Sequence, residues 1–171
     1  QNDIHSQNIS DQTGMLSASA AKTLQRIIGH IIATLHRNLL DRIRHVLDGD
    51  AQIRASYGMV VTRAQAGGCD LYLIVDQDWI NAAGYTHGSV AYAVMDSACA
   101  YASASLQKLA VTVNGNVTYT RGTQQGAKLF VSAELLSQSK RVMTFNSRIV
   151  DAQQRLVAHG SFVFQIIGDR E

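Results

Sequence analysis

Hydrophobic residues recur at three- and four-residue steps from about Ser17 onward: Leu24, Ile28, Ile31, Leu35, Leu39, Ile43 and Val46. That spacing lines one face of an α-helix. Gly49, after Leu47 and Asp48, supplies a helix stop. The pattern predicts one amphipathic helix of about 30 residues. Ahead of it, residues 1–16 are polar and aperiodic and read as a flexible N-terminus. From about Ala55 the period changes to two. SYGMVVTRAQ and CDLYLIVDQ read as two strands with AGG between them. An apolar, small-residue segment from Gly84 to Leu106 follows, with a helix expected near 88–106. Then come VTVNGNVTYT, AKLFVSAELLSQ, RVMTFNSRIVD and RLVAHGSFVFQII, the last three separated by the hairpin-like breaks SQSKR and DAQQR. One long helix, two strands, one helix and four strands predict an α+β fold with an antiparallel sheet. Residues 17–50 read as an N-terminal helical extension and residues 51–171 as the main domain.

Composition narrows this picture. A chain of 171 residues makes one domain with a short appendage and can bury a core without disulfides or metals. Charged residues are only 16% and the net charge is +2, which argues against nucleic acid as the main partner. With no proline, turns fall to Gly, Asn, Asp and Ser. Cys69 and Cys99 have neither CxxC nor zinc spacing and read as free, buried thiols, in keeping with a reducing cytoplasm. No segment reaches the length of apolar sequence that a membrane helix needs. Between Lys22 and His45 the first helix carries five basic residues and one acid, Asp41. A membrane-surface or nucleic-acid arm is one explanation, and packing on its own domain or on a partner subunit is the simpler one.

The chemistry concentrates in residues 79–107, where Asp96 is the only side chain with a full formal charge. The helix after Gly88 is apolar nearly all round, so it is expected to be buried. A carboxylate there is costly unless it is paired or used, and that helix offers no Lys or Arg to pair it. Asp96 is therefore a candidate functional carboxylate. Gly84, His87 and Gly88 precede the helix, whose free N-terminal N–H groups and partial positive charge suit a developing oxyanion. Gly88 and Asp96 lie eight residues apart, about 12 Å along a helix, too far for one carbonyl to touch both. If both serve one site, Asp96 must come from another subunit, most simply in a two-fold dimer.

The stretch NAAGYTHGSVAYAVMD, continued by DSACAYASAS, resembles the hotdog-fold thioesterases, nearest the phenylacetate-pathway type of acyl-CoA thioesterase. Asn81, Gly84, His87, Gly88 and Asp96 fall at that family's spacing, and VTVNGNVTYTRGTQQG resembles the strand that follows. The resemblance spans about residues 55–167. It implies an antiparallel sheet wrapped around the helix, a dimer or dimer of dimers, an acyl-CoA substrate and no metal or other cofactor. It also implies roles: Gly88 N–H polarises the thioester carbonyl, and Asp96 of the facing subunit is nucleophile or general base. Asn81 and His87 orient the carbonyl or order the loop, and Thr112 helps hold water. Ser89 stands where the family has a second glycine, which bears on substrate fit. Gly122 stands where a proline follows the arginine. Arg121 stands where a coenzyme A phosphate could be met, and a solvated surface residue is its simpler reading. A non-catalytic acyl-CoA-binding or regulatory module of the same fold is the alternative.

Overall fold

The computed structural model describes residues 18–169. The expectation for residues 1–16 lies outside them. The first helix, α1, runs from Ala18 to Gly49, in line with its periodicity and glycine stop. The chain divides into two compact units, residues 1–35 and 36–171, so the division falls inside α1. In the second unit, Ile43 is fully buried, and Leu40, Val46 and Leu47 pack against the core. In the first, Leu24, Ile27, Ile28 and Ile31 are about half exposed. No described helix is long and apolar enough to cross a membrane. A six-residue helix, α2 (Ala51–Ser56), follows, too short for its period to be read from sequence.

The strands are β1 (Val60–Gln65), β2 (Gly68–Ile74), β3 (Lys108–Tyr119), β4 (Lys128–Gln138), β5 (Val142–Asp151) and β6 (Leu156–Asp169). All pairings are antiparallel, in the order β1-β2-β4-β5-β6-β3. Between β2 and β3 comes α3, Gly88–Ala104. The α+β expectation and its element order therefore hold. The helix ends two residues earlier than expected. There the Ser105 hydroxyl donates to Ala102 O and Gln65 O, and Gln107 turns the chain at φ 58°.

Burial explains why α3 sits against the sheet. Val94, Met95, Ala98, Cys99, Tyr101 and Ala102 are fully buried. The small residues among them let strands approach closely, and the core closes with Phe145, Phe162, Phe164, Leu71 and Leu73 from the sheet. Phe145 and Phe164 meet edge-to-face at 5.5 Å. Cys69 and Cys99 are buried free thiols. One consequence positions the site: β3, twelve residues long, is an edge strand that pairs with β6 alone among the described residues.

Candidate active site

The loop into α3 is built from local hydrogen bonds. Asn81 Oδ1 accepts from Ala83 N at 2.9 Å and Tyr85 N at 3.1 Å, while Asn81 N donates to Tyr85 O at 2.7 Å. A short polar side chain closing a turn on its own backbone is the usual reason for Asn at such a position. Thr86 fastens this loop to the one after β3. Its N–H donates to Thr123 O at 2.7 Å, and the two hydroxyls lie 2.8 Å apart.

His87 caps the helix. Its backbone is extended, its N–H donates to Trp79 O, and its Nδ1 accepts from Ser89 N at 3.1 Å. The Ser89 hydroxyl lies 2.7 Å from the same nitrogen. An accepting Nδ1 places the ring proton of the neutral imidazole on Nε2. Gly88 is the first helical residue, and its N–H donates to no group among the described residues. Helix N-termini leave such donors to be met from outside. The Tyr119 hydroxyl donates to Gly88 O at 3.1 Å. A Cβ on Gly88 would stand 3.2 Å from the Tyr119 ring, so a side chain here would push on the residue that holds the helix entry. Beneath the entry lies a cavity of about 30 Å³ whose apolar walls include Leu73, Val90, Val94 and Tyr119.

Asp96 sits two turns further along α3, half-buried, between Met95 and the buried pair Ala98 and Cys99. The Thr112 hydroxyl, on edge strand β3, donates to Asp96 Oδ1 at 2.7 Å. No ion pair to Asp96 occurs among the described residues. Burial pushes its carboxyl above the ordinary carboxylate range, and the Thr112 hydrogen bond pulls part of the way back. The same carboxylate, after burial, helps hold the neighbouring Cys99 thiol well above its usual range, so that sulfur is no ready nucleophile. Among the described residues no group of three His, Cys, Asp or Glu side chains could hold a metal ion.

The structure thus gathers Asn81, His87, Gly88 and Ser89 at the helix entry and joins Asp96 to Thr112 in its middle. Asn81 Oδ1 accepts two backbone N–H groups within its own loop. Sequence reasoning assigned no role to Tyr119, whose hydroxyl reaches Gly88 across 31 residues. The available signal was an aromatic closing β3.

Residues 83–158 match the model of the thioesterase superfamily. That stretch is less than half of the chain, and the chain resembles the superfamily there; its fold is the hotdog fold. A curated Archaeoglobus fulgidus protein whose name places it provisionally among the esterases is 26% identical over 98 residues. That match covers 57% of this chain and 64% of the relative, so the chain spans less than two thirds of the relative's length. The E. coli PaaI protein from the phenylacetic acid degradation operon superposes with a TM-score of 0.75 at 23% identity, covering 80% of this chain and 98% of PaaI. A Streptococcus pneumoniae hypothetical thioesterase solved with coenzyme A gives 0.67 at 18% identity, covering 68% of this chain and 92% of its own. At these identities both structures speak to the hotdog fold.

Proposed function

We propose that the chain is a thioester hydrolase acting on an acyl-CoA, releasing a free acid and CoA. The observation that carries this is the state of Asp96. It is a half-buried carboxylate with no counter-ion among the described residues, held by one hydroxyl, in a stretch that matches the thioesterase superfamily. A carboxylate whose pKa is raised is a better proton acceptor once ionised. In the general-base form, Asp96 takes a proton from water as the water oxygen bonds to the thioester carbon. The Gly88 N–H and the α3 N-terminus receive the developing oxyanion. The C–S bond then breaks, and the departing sulfur takes the proton back from Asp96. In the nucleophilic form, an Asp96 oxygen bonds to the thioester carbon, the C–S bond breaks to release the CoA thiolate, and water then opens the resulting anhydride to the free acid and the Asp96 carboxylate, its spare proton going to the thiolate. Thr112 sets the orientation of the carboxylate in both. His87, Ser89 and Asn81 keep the α3 entry in place beside the substrate. Neither route calls for a metal or redox cofactor.

Two copies of the chain complete the site. Eight residues of helix separate Gly88 from Asp96 by about 12 Å, so one carbonyl meets Gly88 of one subunit and Asp96 of the other. The open edge of β3 supports this. Leu109, Val111 and Val113 are 38%, 46% and 55% exposed there, and a long edge strand with apolar side chains invites pairing with another chain. Two-fold pairing generates two equivalent sites, and a dimer of dimers would repeat them. The S. pneumoniae protein solved with coenzyme A has this fold, which supports CoA as the carrier. The testing experiment is Asp96→Asn assayed with aryl-, short-, medium- and long-chain acyl-CoA thioesters. Turnover is expected to fall about 10²- to 10⁴-fold, and undiminished turnover contradicts the assignment.

A further inference from the structure

The first turns of α1 carry two unlike faces. Residues 21–31 are all exposed, and among them Leu24, Ile27, Ile28 and Ile31 leave about half of their surface in water. At about 100° per residue, these four fall within about 100° of the helix circumference. Lys22, Arg26 and His30 follow one another at four-residue steps, so they form a second stripe. It runs about 150° away from the first. No acid occurs between residues 18 and 40; Asp41 is the first. We propose that this stretch of α1 lies in the plane of an anionic lipid surface, with its Leu and Ile side chains sunk among the acyl chains and Lys22 and Arg26 at the lipid phosphates.

The apolar stripe is the first argument. Further along α1 its members are covered: Ile43 is fully buried, and Val46 and Leu47 pack against the core. At Leu24, Ile27, Ile28 and Ile31 it is bare. Single exposed apolar residues need no explanation, but four on one face gain by leaving water together.

Charge selects what covers them. A nucleic-acid arm would use the cations and leave the isoleucines without a role. A second copy packed face to face would cover the isoleucines, yet it would bring two stretches without an acid together, with nothing to answer their cations. An anionic bilayer meets both faces at once. Geometry agrees. An apolar face sinks about 5–10 Å into the headgroup boundary. A helix is about 10 Å across, so the side opposite the isoleucines then stands at the headgroups. Long Lys and Arg side chains reach the phosphates from there. The charged stripe also keeps this stretch on the surface rather than across the bilayer.

The test is co-sedimentation of the full chain with vesicles of phosphatidylcholine alone and with vesicles of phosphatidylcholine and phosphatidylglycerol in equal parts. Two double variants accompany it: Lys22→Gln/Arg26→Gln for the cations and Ile27→Gln/Ile31→Gln for the apolar face. All four side chains are exposed and Gln suits a helix, so both variants should melt as the full chain does. The full chain is expected to sediment with the anionic vesicles and to stay in solution with the neutral ones. Loss of the two cations is expected to weaken partitioning about 10- to 30-fold, and added salt to weaken it likewise. The apolar variant is expected to lose about tenfold or more. Equal binding to both vesicle types overturns the anchor, as does anionic binding that survives the loss of both isoleucines. A full chain that ignores both vesicle types overturns it as well. If Ile27→Gln/Ile31→Gln then lowers the mass in sedimentation velocity, a second copy covers the face instead.

Discussion

The entry and the middle of α3 are two turns apart on one helix, yet they are built in opposite ways. At the entry nearly every polar group is engaged with a neighbour: Asn81 with Ala83 and Tyr85, Thr86 with Thr123, His87 with Ser89 and Tyr119 with Gly88. The Gly88 N–H donates to no group among the described residues. In the middle, Asp96 is a half-buried carboxylate with one hydrogen bond and no ion pair among the described residues. Dense local bonding fixes a shape, whereas an under-compensated charge stores reactivity at some cost in stability. Substitutions at the entry should therefore report as stability and positioning, and substitutions in the middle as chemistry.

The largest expected effect is at Asp96. Asp96→Asn should lower kcat about 10²- to 10⁴-fold without lowering the melting temperature at neutral pH. The sign follows from linkage. Asp96 has a folded-state pKa above its unfolded value. The folded chain therefore binds more protons, and the charged carboxylate destabilises it as pH rises through that range. A neutral amide removes that cost. Thermal melts of both proteins across pH, alongside rate measurements, check the two halves together.

Next is Thr112→Val, which removes the hydroxyl that pulls the Asp96 pKa down. The acidic limb of the pH–rate profile should move to higher pH, because the base must be ionised to act. At fixed neutral pH the rate should fall about tenfold, in keeping with the loss of a hydrogen bond to a charged group. A profile that stays in place would separate Thr112 from the chemistry.

At the entry, Asn81→Ala removes an acceptor for two backbone N–H groups. It should cost about 1–2 kcal/mol in chemical denaturation. Its activity loss should appear mainly in KM, and a selective fall in kcat would blur the contrast. Ser89→Ala is the smallest change. The hydroxyl is exposed and the Ser89 N–H to His87 contact survives. Stability should stay within about 0.5 kcal/mol.

The same contrast explains how much could be seen in the sequence. The period-three and period-two stretches carried the order of helices and strands, because burial on one face imposes those periods on α1 and on the β-strands alike. Asp96 was visible because one charge stands out in 29 otherwise uncharged residues, 79–107. The helix α2 was hidden because six residues carry less than two turns of pattern. The placement of β3 at the sheet edge beyond β6 is a non-local pairing that no local period encodes. Tyr119 on Gly88 and Thr123 on Thr86 join residues 31 and 37 positions apart. Such contacts exist only once the sheet has closed.

The central claim is that each site takes Gly88 from one subunit and Asp96 from the other. Co-expression of Asp96→Asn and Gly88→Val chains with different tags allows the mixed dimers to be isolated by two successive affinity steps. Each variant alone should be nearly inactive. In a mixed dimer the Asp96→Asn chain supplies an intact Gly88 and its partner an intact Asp96, so one of two sites is whole. The account predicts about half the wild-type activity per mixed dimer. Mixed dimers as inactive as either parent would contradict it.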